Sequence, residues 1–206
     1  NFSKSVFKNI SLALPSNLET KNFLKKLGVN KIKLIGNLKY YGLSKVENKD
    51  KKFLKNKFKN FKVWCAASTH EGEEIIISKL HKNIKRKQKK LLTIIIPRHI
   101  NRVEKIIAQI NVDKLKVIKH SSKTDIKKNT DIYIVDTYGE ASKFYNLSNI
   151  CFMGGSIINH GGQNPLEPVR LGNYIINGPN IRNFKEIYKF LSKNNMSITT
   201  SKMSKI

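Results

Sequence analysis

Residues 62–191 predict a doubly wound α/β domain built on a parallel sheet, and three observations carry that expectation. Short, β-branched apolar runs recur at Val63 to Ala67, Leu91 to Ile96 and Ile132 to Val135. Each is apolar but for Thr93, as in strands buried on both faces. Stretches of helical period separate these runs. The polar clusters all follow the runs, at the strand ends where open α/β sheets bind ligands.

The elements read in order. Lys62 to Ala67 predicts a strand and Glu71 to Lys82 a helix; Leu91 to Ile96 is the next strand. A helix follows over Arg102 to Ile110, with Asn101 and Glu104 spaced as a capping box. Leu115 to Lys119 and Ile132 to Val135 are strands, and Glu140 to Leu147 is a helix. Then come a strand at Ile150 to Met153, a helix over Pro165 to Leu171, a strand at Tyr174 to Asn177 and a helix over Phe184 to Leu191. Upstream, Leu18 to Leu27 reads as a helix ended by Gly28, and Ile32 to Ile35 as a brief strand. Lys45 to Asn60, charged and poor in apolar residues, reads as a helix or linker. Residues 1–44 are therefore expected to be the tail of a preceding domain plus a linker, and residues 45–206 the main domain.

A chain of 206 residues with 39% hydrophobic content suits one full domain, or one domain and a piece of another. No apolar run approaches the roughly 20 residues of a membrane span. Asn1-Phe2-Ser3-Lys4 lacks the pattern of a signal peptide, and with no initiating Met an internal fragment is expected. Cys65 and Cys151 lie inside apolar runs without metal-ligand spacing, which predicts buried free thiols in a reducing cytoplasm rather than zinc ligands or a disulfide. The net charge of +26 points to polyanions or to a solvated lysine surface. The lysines are dispersed and not interleaved with aromatic residues, as a stacking nucleic-acid surface requires, so the solvated surface is favoured.

The most informative stretch is residues 154–168. Gly154, Gly155, Gly161 and Gly162 allow tight bends and close approach to a ligand, and Asn164-Pro165-Leu166-Glu167 is spaced to open a helix as a capping box. A glycine loop leading into a helix N-terminus suits a phosphate. Further polar clusters follow the other strands: Ser68-Thr69-His70-Glu71-Gly72-Glu73, Pro97-Arg98-His99 and Asp136-Thr137-Tyr138-Gly139-Glu140. Arg98 offers a planar fork for phosphate, or a surface ion pair. Glu140 sits where a carboxylate favours a helix dipole, or where the backbone meets a ligand. Glu167 serves as a cap or as an acceptor for the two hydroxyls of a ribose. His70, His99 and His160 are either hydrogen-bonding residues or acid–base groups. No Ser–His–Asp order, HExxH, P-loop or dinucleotide GxGxxG is present, which weighs against a dehydrogenase.

Taken together, Gly36-Asn37-Leu38-Lys39, residues 66–74, Pro97-Arg98-His99, residues 136–140, Gly154-Gly155-Ser156 and residues 160–168 resemble, in order and spacing, the nucleotide-binding half of the 3-deoxy-D-manno-octulosonic acid (Kdo) transferases. The resemblance implies a GT-B architecture of two Rossmann-like domains, of which this chain is mainly the C-terminal one, stopping short of the family's closing helices. It implies transfer of Kdo from CMP-Kdo to lipid A precursor (lipid IVA) in lipopolysaccharide core biosynthesis, with no metal or other cofactor. The expected setting is the cytoplasmic face of the bacterial inner membrane, with the anionic membrane surface as a partner and no nucleic acid. Carried over by position, the CMP contacts are Pro97, Arg98, Tyr138, Gly139, Glu140, Asn164, Pro165, Leu166 and Glu167. Candidate donor-sugar or loop contacts are Ser68, Thr69, His70, Glu71, His99, Gly155, Ser156, His160, Gly161 and Gly162. Tyr138 stands where the family usually has methionine, and Ile100-Asn101 where it has Pro-Glu. The family's catalytic base is a glutamate of the N-terminal domain, so no catalytic residue is expected in this chain. The alternatives are a basic nucleic-acid-binding α/β domain and a GT-B enzyme that uses a UDP-sugar.

Overall fold

The structure is a computed structural model that describes residues 2–36 and 48–201. Asn37-Leu38-Lys39 of the first resemblance motif and the start of the Lys45 to Asn60 stretch lie outside those residues. The chain divides into two compact units, residues 1–43 and 44–206.

The second unit holds a seven-stranded sheet among the described residues, and every pairing in it is parallel. Its strands are β1 (Lys62–Thr69), β2 (Leu91–Pro97), β3 (Val117–Lys119), β4 (Ile132–Ile134), β5 (Ile150–Met153), β6 (Tyr174–Asn177) and β7 (Ser197–Thr199). The spatial order is β3-β4-β2-β1-β5-β6-β7, so the winding reverses between β1 and β5. At such a reversal the flanking loops diverge and leave a crevice beyond the carboxyl ends of the strands.

The unbroken apolar runs follow from burial on both faces. Along β1, Cys65 and Ala67 face one side while Trp64 and Ala66 face the other, the alternation of a pleated strand. On the first side Cys65, Leu92, Ile94, Tyr133 and Cys151 pack against helices α3 (Asn48–Phe58), α6 (Ala141–Tyr145) and α8 (Lys185–Lys193) through Phe58, Phe144 and Leu191. On the second side Ile95, Ile134 and Phe152 meet Ile77 and Leu80 of α4 (Glu73–Lys87) and Ile106 and Ile110 of α5 (Val103–Asn111). Cys65 and Cys151 are free and fully buried, and burial pushes the Cys65 thiol up to about 12, so both behave as small apolar residues.

Several elements differ from the sequence expectation, each for a physical reason. The stretch read as a helix or linker is helical over Asn48–Phe58, and two apolar residues suffice to dock it, since Leu54 and Phe58 are buried and Phe58 meets Tyr133 edge-on at 5.2 Å. The capping box at Asn101 and Glu104 does not form. The chain enters α5 through a 3-10 turn at Ile100–Arg102, and Glu104 instead accepts from the Lys119 ammonium at 2.8 Å. Helix α4 starts at Glu73 rather than Glu71, because Gly72 takes a left-handed φ of 93° and turns the chain into it. The seventh strand, Ser197–Thr199, was not anticipated: it buries only Ser197 and has no apolar run to announce it.

The first unit contains α1 (Phe2–Phe7) and α2 (Leu18–Lys26), the latter capped by the Asn17 carboxamide oxygen, which accepts from the Thr20 N–H at 2.7 Å. The strand expected at Ile32 to Ile35 is reduced to one parallel bridge between Ala13 and Ile32.

Candidate nucleotide site

All four polar clusters lie at one edge of the sheet, after the adjacent strands β4, β2, β1 and β5. Ser68 at the end of β1 has a left-handed φ of 53° and interrupts the pairing register with β2. This turn presents the Ser68 carbonyl to the His70 ring, whose Nδ1–H donates to it at 3.0 Å. Because a carbonyl only accepts, that bond fixes the neutral His70 tautomer and leaves Nε2 as an acceptor. Nε2 is buried and has no partner among the described residues. His160 stacks on His70 with ring centroids 4.0 Å apart, and His99 meets it edge-on at 6.1 Å.

Beneath this cluster lies a fully buried carboxylate that sequence reading left out of the site. Glu73 Oε2 accepts from the N–H of His70 at 3.0 Å and of Gly155 at 2.8 Å, while Oε1 accepts from the N–H of Ser156 and of Ile157, both at 3.1 Å. The start of the glycine loop is therefore no free cradle: a carboxylate of the protein already holds the N–H groups of Gly155, Ser156 and Ile157. Its glycines serve close packing. A Cβ at Gly154 would lie 2.3 Å from the Ser68 carbonyl oxygen, and one at Gly161 would lie 2.6 Å from the Asn183 side chain. Gly162 is buried and donates its N–H to the Gly155 carbonyl at 2.7 Å.

Other expected contacts are committed to structure as well. The Ser156 hydroxyl is buried, donates to the Met153 carbonyl and accepts from the Gly178 N–H. The buried Thr69 hydroxyl donates to Glu74, whose carboxylate also pairs bidentately with Arg102 at 3.1 and 3.3 Å. Glu71 is exposed and paired with Lys105. Pro97 and Pro165 are buried, and Leu166 packs into the core. Glu73 stands in the polar cluster after β1 but not among the candidate contacts, because an acidic residue in a first helical turn reads as a dipole-favoured surface group. The acidic run Glu71-Gly72-Glu73-Glu74 beside a strand end was the signal available.

What remains open toward solvent is Arg98, His99, Tyr138, Gly139 and His160, with Asn164 and Glu167 half-buried. Arg98 makes no side-chain hydrogen bond or ion pair among the described residues, and its N–H donates to the Thr69 carbonyl at 3.0 Å, which places it beside the β1 turn. The expected capping box does not form: Pro165, not Asn164, is the N-cap of α7 (Leu166–Arg170), and Asn164 Oδ1 accepts from the Leu166 N–H at 3.1 Å in a turn before it. Helix α7 spans five residues, as does α6 after Glu140. Helices this short carry little macrodipole, so positive charge at this edge comes from side chains more than from helix ends. An open cavity of about 700 Å³ adjoins the Tyr138 loop, lined by His120, Ser121 and Thr137 with Phe53, Asn56 and Lys57 of α3. Its size fits a small ligand.

Glu140 is engaged within the protein. Its carboxylate accepts from the Thr137 hydroxyl at 2.6 Å and the Lys143 ammonium at 3.0 Å, and lies 2.9 Å from His120 Nε2, so that it ties the Tyr138–Gly139 loop to the end of β3. The Thr137 hydrogen bond foremost, then Lys143 and His120, hold the Glu140 carboxyl down to about 2, below its ordinary 4.5. A depressed carboxylate stabilises the fold above its unfolded value, and that contribution is lost as pH falls from about 5 toward 2. Glu140→Gln should therefore flatten the acid limb of a melting-temperature profile over that range, and an unchanged limb would show that the bond carries no net stability.

Comparison with known proteins points the same way as the geometry. No protein-family model matches the chain. Over 199 residues it is 31% identical to the 3-deoxy-D-manno-octulosonic acid transferase of Rickettsia prowazekii, covering 96% of this chain and 43% of that protein. Over 129 residues it is 38% identical to the enzyme of the same name from Haemophilus influenzae, covering 63% of this chain and 30% of that one. The chain thus spans less than half the length of these relatives. The crystal structure of the C-terminal CMP-Kdo-binding domain of WaaA from Acinetobacter baumannii superposes with a TM-score of 0.72 at 29% identity, over 76% of this chain and 83% of that domain. The chain matches the C-terminal half of the Kdo transferase family. The Kdo transferase match extends to architecture, since the all-parallel sheet with helices on both faces is the Rossmann-like C-terminal fold of GT-B glycosyltransferases.

Proposed function

We propose that this chain supplies the donor-nucleotide half of a glycosyltransferase that moves Kdo from CMP-Kdo to a lipid A precursor in lipopolysaccharide synthesis, at the cytoplasmic face of the inner membrane. The observation that carries this reading is the superposition on a CMP-Kdo-binding domain together with the open polar edge at the winding reversal. In this reading CMP lies across the ends of β2, β1 and β5. The Arg98 guanidinium faces the phosphate, the Tyr138–Gly139 backbone faces the base, and the Glu167 carboxylate accepts from the ribose hydroxyls. Charge that develops on the leaving phosphate is met by Arg98 and neighbouring imidazoles, positioned before reaction, so the proposal requires no metal. The base that deprotonates the acceptor hydroxyl belongs to the other half of the enzyme. The net charge of +26 suits a protein that works against an anionic membrane.

Calorimetric titration of CMP into the 206-residue chain, with UMP as control, tests the reading. CMP should bind more tightly than UMP, and Glu167→Ala should weaken CMP by roughly 10- to 100-fold, the loss expected for hydrogen bonds to a charged acceptor. Equal binding of both nucleotides with steep salt dependence would point to a basic polyanion-binding domain instead. A preference for UMP would indicate a UDP-sugar enzyme.

A further inference from the structure

The three imidazoles at the winding reversal are placed to do more than the nucleotide reading asks of them. His70 packs against His160 and His99 and is 7% exposed as a residue, and its Nε2 has no partner among the described residues. A buried polar atom left unpaired is costly, and one in a ring packed against two exposed imidazoles is a place a ligand group can complete. Gly155 leaves room for that stack: a Cβ there would lie 3.2 Å from the His160 ring and 3.3 Å from the His70 ring. Among the described residues no group of three or more His, Cys, Asp or Glu side chains is arranged to hold a metal ion.

We propose that His70, His99 and His160 bind an oxyanion of the donor, its phosphate or its sugar carboxylate, and that this binding is coupled to proton uptake by His70. The inference rests on the nucleotide-site reading above. With no anion present, two imidazolium rings 4.0 Å apart repel, and burial in the first place, then His160, hold His70 below the ordinary histidine range. The carboxylates nearest the ring do not offset this. Those of Glu73 and Glu74, both on α4, are engaged by backbone N–H groups and by Thr69 and Arg102 respectively. The loop after β2 adds only Arg98 and His99, and the glycine loop His160. An incoming oxyanion reverses the balance, because the protonated ring gains a counter-charge and Nε2 becomes a donor. With the N–H groups of Gly155, Ser156 and Ile157 held by Glu73, the imidazoles and Arg98 offer side-chain donors at this point of the edge. Linkage then requires affinity for the oxyanion to rise as pH falls toward 6.

Histidine-labelled chain read by long-range ¹H–¹⁵N spectra over pH 5 to 9, alone, with CMP and with free Kdo, tests this on the ring itself. The free His70 ring should titrate below the ordinary histidine range and hold the Nδ1–H form while neutral. One of the two ligands should raise its midpoint by about one pH unit or more, a tenfold gain in proton affinity. A rise with CMP assigns the phosphate, and a rise with Kdo the carboxylate. His160→Gln should by itself raise the free midpoint, since it removes the nearer repelling ring. If CMP perturbs the His120 ring, which Glu140 ties to the Tyr138–Gly139 loop, while neither ligand moves His70, the inference falls and the nucleotide reading stands. If neither ligand perturbs any resonance, both fall together.

Discussion

Glu73→Ala should destabilise the C-terminal domain by about 3–5 kcal/mol, the loss typical of removing one partner from a buried charged network. The side chain is fully buried and joins three segments: the turn after β1, the first turn of α4 and the glycine loop after β5. Removing it leaves four N–H groups without an acceptor where water is scarce. Glu73→Gln makes the sharper test. Each carboxylate oxygen accepts two of the N–H groups, Oε2 from His70 and Gly155 and Oε1 from Ser156 and Ile157. Whichever oxygen becomes an amide nitrogen, two N–H donors then face a donor. The glutamine variant should therefore lose most of what alanine loses, about 2 kcal/mol or more, despite its nearly identical shape. Urea unfolding with an unchanged slope would report this as a lower midpoint. Amide exchange at Gly155, Ser156 and Ile157 should accelerate along with it. A glutamine variant as stable as the parent would mean that the loop is held by its packing alone.

Gly154→Ala should cost about 3 kcal/mol or more, at the upper end for overpacking, because nothing at the site can give way cheaply. The added Cβ would meet the Ser68 carbonyl oxygen at 2.3 Å, the Thr69 Cα at 2.6 Å and the Ser68 carbonyl carbon at 2.7 Å, all of them backbone atoms. Relief requires the ends of β1 and β5 to part, which strains the bond from the Gly154 N–H to the Ala67 carbonyl at 2.8 Å. The same movement would separate Glu73 from its loop and His70 from His160, so nucleotide binding should fail along with stability. Gly172→Ala separates this effect from backbone conformation. Its φ is 88° with no atom within 4 Å of the added Cβ, so only the left-handed conformation is penalised, by roughly 1–2 kcal/mol. Equal costs for the two substitutions would refute the close-approach account.

The sequence by itself determined most of the sheet and the edge on which the candidate residues lie. Strands buried on both faces must be apolar throughout, and that local property marked β1, β2, β4, β5 and β6. Polar clusters directly after them could only fall at the carboxyl edge, and the order of motifs carried the family resemblance that the comparisons then showed. Tertiary structure decided what each polar residue does there. The glycine loop looked like a phosphate cradle because glycines free a backbone to approach something; here that something is β1 and the Glu73 carboxylate. Glu73 lies 82 to 84 positions from the loop amides it binds, and no local pattern encodes a partner at that separation. The docking of α3 through Leu54 and Phe58 and the pairing of β7 with β6 were likewise hidden, since the residues that secure them are too few to set a period. Burial is a property of neighbours along the chain as well as of the fold, so sequence reports it. Which carboxylate meets which N–H is a property of the fold alone.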